Sequence, residues 1–268
     1  MRKIKIIVVM VIMTTFITAC SKVPVTDRTQ LNLLPESQLM GMALEQYNQV
    51  LKESNVVPTT DNQAQLVNNV GNKIANAVTQ YMTQQGMKSR LDGYKWEFKL
   101  IKEDVANAWA MPGGKVAVYT GILPITQTEA GLATVMGHEV AHAIARHGNE
   151  RMSQMLVAQL GGVALDVALR EKSQQTRQIF NTAYNVGATV GVLLPYSRLQ
   201  ESEADKLGLI FMAMAGYDPR ESTAFWQRMQ AKSGGGAPPE FLSTHPSHGT
   251  RIETLKKFMP EALKYYKK

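Results

Sequence analysis

Two histidines and a glutamate within Gly137–His142 have the types and spacing of a metal-dependent catalytic motif. His138 and His142 are four residues apart, so on a helix their side chains lie on one face. Two neutral imidazoles at that spacing can bind one Zn²⁺ with little backbone adjustment. Glu139 follows His138 and can reach a metal-bound water without being a ligand, which suits a general base. The H-E-x-x-H pattern therefore indicates a zinc-dependent peptidase.

The two histidines leave one ligand to be found, because a catalytic zinc site usually has three protein ligands and a water. His147 is nearby, but on a continuous helix it faces away from His138. A metzincin site would require glycine and histidine where the chain has Ala145 and Gly148. We therefore interpret His147 as a helix-end or packing residue. Cys20 is the only cysteine, which excludes both thiolate ligands and an internal disulfide.

The segment Ser197–Asp205 contains a better candidate for the third ligand. Glu201 and Asp205 are four residues apart and share a helix face. One carboxylate can bind Zn²⁺ while the second accepts the free N–H of a ligating histidine and orients its ring. Glu203 should face away from both, where it would pair with Lys206 or meet solvent.

The composition describes a globular protein without a nucleic-acid-binding surface. The chain has 268 residues, of which 44% are hydrophobic and 19% are charged. Its formal net charge is +7, and removal of the first residues, including Arg2, Lys3 and Lys5, would reduce the charge to +4. The remaining basic residues are scattered, with no aromatic-interleaved basic patch, so nucleic-acid binding is not expected.

The N-terminus has the organisation of a lipoprotein signal. A positive start is followed by the apolar run Ile6–Ile17 and by small residues before Cys20. We expect residues 1–19 to be a signal peptide, Cys20 to be lipidated, and residues 20–33 to be a polar, irregular tether to a membrane. An uncleaved anchor helix with an incidental cysteine is the alternative. Because Ser21 is not aspartate, the predicted location is the bacterial outer membrane, facing the periplasm.

Residues 34–268 should form one mostly helical α+β domain. Helices are predicted over 35–53, 61–84, 128–151, 199–215, 219–232 and 250–258, and strands over 94–101, 106–110 and 115–120. The strands should form a small antiparallel sheet beside the H-E-x-x-H helix, which a capping box at Thr126 and Glu129 would start. Met152–Leu169 should remain helical. Tyr184–Leu194 is expected to be a buried helix rather than a segment dipping into a membrane surface.

These motifs give the chain a resemblance to a known family. It resembles the gluzincin peptidases grouped around HtpX, BepA and the CAAX prenyl protease. The resemblance covers most of residues 34–268. Four motifs carry it in the family's order: Asn107-Ala108-Trp109-Ala110-Met111-Pro112-Gly113-Gly114, His138-Glu139-Val140-Ala141-His142, Ser197-Arg198 with Glu201-Ser202-Glu203-Ala204-Asp205, and His245-Pro246 with Arg251.

The resemblance implies a role for each motif. It implies one Zn²⁺ per chain, bound by His138, His142 and Glu201. It implies Glu139 as the catalytic base, Asp205 as the carboxylate behind a ligand, and Asn107 and Ala108 on an edge strand that an extended peptide can join. In relatives, the histidine matching His245 either helps to stabilise the transition state or caps the zinc at rest, and the arginine matching Arg251 lies near the same site.

The expected function is a zinc endopeptidase anchored to a bacterial membrane, acting on unfolded or misassembled envelope proteins in quality control. HtpX and the prenyl protease have transmembrane helices, and no further apolar span follows the signal here. The chain therefore resembles the soluble, lipid-anchored branch, and prenyl-protein processing is not implied. The alternative is a gated or chaperone-like peptide-binding lipoprotein with low proteolysis. An exopeptidase is a further rival, without a readable terminus-binding motif.

Overall fold

The computed structural model describes residues 20–160, 176–179, 183, 197–233, 239–245 and 250–267. These residues form a mostly helical α+β domain with two small sheets, which confirms the predicted fold class. The helix predicted over Tyr184–Leu194 lies outside the described residues, as does the second half of Met152–Leu169.

Two long helices precede the sheet, as the spacing of their apolar residues predicted. Helix α1 spans Glu36–Glu53 and helix α2 spans Asn62–Gln84. Asp61 caps α2, where its carboxylate accepts hydrogen bonds from the backbone N–H groups of Gln63 and Ala64 at 2.8 and 3.2 Å. The buried stripes of both helices face the body of the domain.

An N-terminal hairpin packs against this body. Strand β1 (Cys20–Lys22) pairs antiparallel with strand β2 (Thr29–Leu31), with Ser21 opposite Gln30. The turn between them is closed by a hydrogen bond from Val23 N to Arg28 O at 2.8 Å. The structure therefore differs from the irregular tether expected over residues 20–33, because polar side chains of this segment find partners on later helices.

The main sheet has three strands in the order β3–β5–β4. Strand β4 (Ala108–Met111) and strand β5 (Lys115–Tyr119) form the expected antiparallel hairpin. Strand β3 (Glu97–Ile101) pairs with β5 rather than β4, so it runs parallel to its neighbour and the sheet is mixed. In the β4–β5 turn, Gly114 has φ of +83°, and a Cβ there would lie 2.9 Å from the Trp96 ring.

The H-E-x-x-H helix lies at the centre of the domain. Short helix α3 (Leu123–Thr126) leads into α4 (Glu129–Ala145), which is buried from Gly131 to its end. The N-cap is Thr128, whose hydroxyl accepts a hydrogen bond from Gly131 N at 3.0 Å, so the capping box predicted at Thr126 is wrong. A helix buried all round needs no amphipathic stripe, and between Gly131 and Ala145 its sequence is apolar apart from Thr134 and the motif residues His138, Glu139 and His142.

The structure places a break in the helix expected to run to residue 151. Helix α4 ends at Ala145, and Arg146 adopts the left-handed conformation with φ 61° and ψ 31°. Helix α5 (His147–Leu160) then begins at the next residue. The predicted continuous helix is therefore wrong, because a single left-handed residue ends the helical hydrogen-bond pattern.

Residues 176–179 are also helical, and four later helices follow them. They are α6 (Arg198–Met214), α7 (Glu221–Ser233), α8 (Glu240–Thr244) and α9 (Arg251–Ala262). Helix α6 crosses α4 where two glycines meet. A Cβ on Gly208 would lie 3.0 Å from His138 N, and one on Gly137 would lie 3.0 Å from the Gly208 carbonyl oxygen. This close crossing brings the start of α6 beside the H-E-x-x-H motif.

Candidate metal centre

Four buried side chains bring their donor atoms together. His138 and His142 extend from α4, Glu201 from the first turn of α6, and His245 from the residue that follows α8. The Nε2 atoms of His138 and His142 are 3.1 Å apart, and His142 Nε2 lies 3.3 Å from Glu201 Oε1. His245 Nδ1 lies 3.2 Å from His138 Nε2 and 3.0 Å from Glu201 Oε1.

This geometry fits zinc. In a tetrahedral site with zinc–nitrogen bonds of about 2.0–2.1 Å, neighbouring ligand atoms are about 3.3 Å apart. The nearest approaches of five of the six residue pairs lie between 3.0 and 3.5 Å, and one donor atom from each residue can be chosen so that all four lie within 4.8 Å of one another. Nitrogen and carboxylate oxygen donors are those that zinc takes in the absence of thiolates. The cluster that the sequence predicted around His138, His142 and Glu201 can therefore hold one metal ion, with His245 as an additional donor.

Glu139 lies beside this cluster without belonging to it. Its Oε1 is 3.3 Å from His245 Nε2 and, among the described residues, has no hydrogen-bond donor. Burial raises the pKa of Glu139, and the nearby His245 and His138 oppose that rise only in part. A carboxylate with a raised pKa and an unsatisfied oxygen is suited to take up a proton from water.

One carboxylate, Asp205, and one guanidinium, Arg251, lie directly behind the donors. Asp205 Oδ1 is 3.0 Å from His138 Nδ1, which fixes the ring with Nε2 towards the cluster. Arg251 donates to Asp205 Oδ1 at 2.6 Å, and its Nη1 lies 2.8 Å from Glu201 Oε2. Its guanidinium lies flat on Trp226, 3.4 Å from the ring centroid. Arg251 therefore holds the two carboxylates and is itself buried.

The surroundings of Glu201 and Asp205 favour the ionised forms of both carboxylates. Burial raises the pKa of Glu201, but His245, Arg251 and His138 outweigh it and hold that pKa well below its ordinary value. Burial likewise raises the pKa of Asp205, but Arg251 and His138 reverse the effect and lower it. Negative charge is thus retained where a metal cation would be bound.

His245 closes the cluster. Its ring stacks on Phe241 at a centroid distance of 4.6 Å and lies between Glu139 and the other donors. Catalytic zinc sites keep one coordination position open for water, whereas structural sites use four protein ligands. The position of His245 makes this arrangement a closed one, with four protein donors within mutual reach.

His147 is a buried helix-end residue outside the donor cluster, as expected, but it does not face away from the site, and Glu203 is placed differently from the sequence interpretation. Since the helix breaks at Arg146, His147 turns back towards the site, and its Nδ1 lies 2.9 Å from His142 Nδ1. Glu203 is fully buried, with Oε2 3.1 Å from His147 Nε2, so the expected pairing with Lys206 or solvent is wrong. No sequence signal marked the break, because arginine is not a residue typical of the left-handed conformation.

The predicted substrate strand lies at an edge of the main sheet. Strand β4 packs against α4, and among the described strands only β5 pairs with it, so no described strand lies beside its other edge, the open edge. The Asn107 carbonyl accepts a hydrogen bond from Tyr119 N on the β5 side, so the N–H of Ala108 points to the opposite edge. There it donates to the Asn107 side chain at 2.8 Å. Just before β4, the Ala106 carbonyl accepts a hydrogen bond from Phe241 N of α8.

Comparison with known proteins gives a consistent set of relatives. A family model described as Peptidase family M48 matches residues 69–259. Mitochondrial metalloendopeptidase OMA1 of Saccharomyces cerevisiae is 32% identical over 260 residues, which are 94% of this chain and 72% of that protein. Mitochondrial metalloendopeptidase OMA1 of Schizosaccharomyces pombe is 32% identical over 254 residues, 92% of this chain and 68% of that protein. Beta-barrel assembly-enhancing protease of Escherichia coli is 30% identical over 188 residues, 65% of this chain and 37% of that protein.

These relatives correct the predicted location. The Saccharomyces cerevisiae and Schizosaccharomyces pombe relatives, which each match more than nine-tenths of the chain, are named as mitochondrial, so the prediction of a bacterial outer membrane facing the periplasm is wrong. In the part of the chain that the structure describes, no helix has both the length and the apolar character needed to cross a bilayer.

Proposed function

The chain belongs to peptidase family M48 and is a zinc metalloendopeptidase, and we propose that His138, His142 and Glu201 are its zinc ligands and Glu139 its general base. The observation that carries this proposal is the buried cluster of four donor residues with the Glu139 carboxylate beside it. The substrates of a peptidase are polypeptides, and we propose that unfolded or misassembled chains are the class cleaved.

When bound, zinc supplies the Lewis acidity that activates water and polarises a peptide carbonyl. Glu139 accepts a proton at its unsatisfied Oε1 and passes it to the leaving amine nitrogen. Asp205 keeps His138 in the tautomer that presents Nε2 to the cluster. Arg251 stabilises the negative charge of Glu201 and Asp205 and keeps both carboxylates in position.

We propose that substrate binds as an additional strand along β4 (Ala108–Met111). The outward-facing amide of Ala108 supports this mode, because an extended peptide can replace the Asn107 side chain as its acceptor. At the start of this edge, the Ala106 carbonyl is bonded to Phe241 N of α8. His245 is the residue that follows α8. A peptide on this edge would therefore end close to the donor cluster.

A second candidate function follows from His245. Its position as a fourth donor supports a gated peptidase, or a chaperone-like peptide binder with low proteolysis, in which His245 must leave before water can enter. If His245 blocks the site, its removal should raise the rate of peptide cleavage. If His245 does not block the site, its removal should not raise that rate.

The decisive experiment measures zinc content and cleavage on the same preparations. Wild type, Glu139→Gln and His245→Ala are analysed for bound zinc, then incubated with casein and with an internally quenched peptide. Glu139→Gln should keep one zinc per chain and lose cleavage, while His245→Ala should cleave faster than wild type. Undiminished cleavage by Glu139→Gln would refute the base, and zinc-bound but inactive wild type and His245→Ala would favour the binder. Internal cut sites, mapped by mass spectrometry, separate endopeptidase from exopeptidase action.

We further propose that the protein is attached to a membrane through lipidation of Cys20, after removal of residues 1–19. The apolar run and small residues before an exposed cysteine support this. Residues 34–268 would then be the peptidase domain, with the hairpin next to the lipid. Intact mass of the purified protein should show the acyl chains, and Cys20→Ala should remove them and release the protein from membranes. An unmodified mass with the first 19 residues present would contradict the proposal.

A further inference from the structure

A line of hydrogen-bonded side chains connects the donor cluster to the N-terminal hairpin. His142 Nδ1 lies 2.9 Å from His147 Nδ1, and His147 Nε2 lies 3.1 Å from Glu203 Oε2. Arg28, from the hairpin, donates to Glu203 through Nε and Nη2, both at 2.9 Å. Three segments far apart in sequence thus meet behind one histidine of the cluster.

The proton positions along this line are fixed by elementary chemistry. If His142 presents the lone pair of Nε2 to a metal, its remaining proton is on Nδ1, and that N–H donates to His147 Nδ1. His147 then carries its own proton on Nε2 and donates it to the Glu203 carboxylate. Each contact has one donor and one acceptor, and the line ends on a negative charge.

The two histidines of the H-E-x-x-H motif are therefore supported in different ways. His138 contacts the Asp205 carboxylate directly at 3.0 Å. His142 reaches its carboxylate, Glu203, only through the ring of His147. Because two hydrogen bonds in series separate His142 from Glu203, movement of either His147 or Glu203 would change the orientation of the His142 ring. The Glu203 carboxylate must therefore be held in a fixed position.

Arg28 provides that hold. Glu203 is fully buried, and a buried carboxylate requires a partner charge. Arg28 binds Glu203 with two N–H groups and binds Glu150 at 2.6 and 2.9 Å, while Thr26 of the same hairpin turn donates to Glu203 at 2.7 Å. A planar guanidinium with several fixed donors sets the angle of a carboxylate, which a single ammonium group does less well.

We propose that Arg28, Glu203 and His147 are positioning residues for the metal centre, acting in series on His142. The inference rests on the proposed ligand role of His142. Under this proposal, the N-terminal hairpin contributes to the geometry of the metal centre and does not merely connect the domain to a membrane. The chain then requires its residues near 28 for zinc retention, although they lie far from the H-E-x-x-H motif in sequence.

The test measures zinc affinity on the full chain by competition with a chromogenic chelator, together with kcat and KM on a quenched peptide. Arg28→Gln, Glu203→Gln and His147→Phe should each weaken zinc binding by about 10- to 100-fold, the usual effect of losing a partner of a metal ligand. They should lower kcat with little change in KM. Arg28→Lys should restore part of the loss, and the double variant Arg28→Gln/Glu203→Gln should resemble the single variants, because both act on one line.

Gln30→Ala is the matched control. Gln30 lies on the same hairpin and donates to the Ala145 carbonyl at 2.6 Å, so its removal weakens docking of the hairpin without touching the line to His142. Its zinc affinity should stay within about twofold of wild type, well below the effect of losing a ligand partner. Equal losses in Gln30→Ala and Arg28→Gln would overturn the inference in favour of general docking.

The cobalt-substituted protein gives an independent readout. A changed visible spectrum in His147→Phe and Arg28→Gln, at full cobalt loading, would show altered geometry at the metal. Wild-type zinc affinity and spectrum in His147→Phe would overturn the inference while leaving the proposed site intact. Unchanged zinc affinity in His142→Ala and Glu201→Ala would instead refute the proposed ligands, so the two failures are distinguishable.

Discussion

Substitution of Gly208 by alanine tests whether the crossing of α4 and α6 sets the geometry of the metal centre. A Cβ at this position would lie 3.0 Å from His138 N, 3.1 Å from the Gly137 carbonyl carbon and 3.2 Å from His138 Cα. All three are backbone atoms, so no side chain can move aside and the helices must separate by a few tenths of an ångström. Overpacking of this kind costs about 1–3 kcal/mol.

Gly41→Ala is the control for the effect of replacing a helical glycine by alanine where the new Cβ meets no neighbour. A Cβ at Gly41, in the middle of α1, meets nothing within 4 Å. Both substitutions gain about 0.5–1 kcal/mol of helix propensity, so their difference isolates the cost of the crossing. We expect Gly41→Ala to be neutral or stabilising and Gly208→Ala to lie about 2 kcal/mol below it in unfolding free energy, measured by urea denaturation of the zinc-free protein.

The same separation should affect metal binding. Glu201 is on α6 and the two histidines are on α4, so moving the helices apart changes ligand distances by more than the about 0.2 Å that a good site tolerates. Zinc affinity of Gly208→Ala should fall by about tenfold or more, whereas Gly41→Ala should bind like wild type. Equal stability and equal zinc affinity of the two variants would refute the assignment of the crossing as the determinant of the site.

Three further outcomes are expected. Asp205→Asn should weaken zinc binding about 10- to 100-fold, measured by chelator competition, since His138 loses its carboxylate. Ala110→Pro should raise KM with little effect on kcat or zinc content, because Ala110, like Ala108, directs its N–H to the open edge of β4. Burial raises the pKa of Glu203, but bonds from His147, Arg28 and Thr26 lower it to about 2. Zinc-free wild type should therefore lose its stability advantage over Glu203→Gln, at most about 3 kcal/mol, as pH falls from about 4.5 to 2 in urea titrations.

The parts of the site that lie within one helix were predictable from the sequence. The spacing of His138 and His142 placed both imidazoles on one face, and the spacing of Glu201 and Asp205 did the same for the carboxylates. The cap at Asp61 was equally readable, because it depends on neighbouring residues alone. The order of the strands in the sheet was not predictable from the sequence, because the pairing of β3 with β5 depends on tertiary packing and not on local residue preferences.

The wrong orientation of His147 and the wrong environment of Glu203 have one origin. A helical wheel assumes a straight helix, and Arg146 violates that assumption at the position where α4 ends. With His147 turned towards His142, a buried imidazole needs an acceptor, and Glu203 is the residue of α6 that faces it. Glu203 then needs a cation, which comes from Arg28 in a segment whose polarity alone suggested a solvated tether. The left-handed Arg146 thus brings together a buried carboxylate, its guanidinium partner in the hairpin and His147. Spacing rules that assume a straight helix do not predict these contacts.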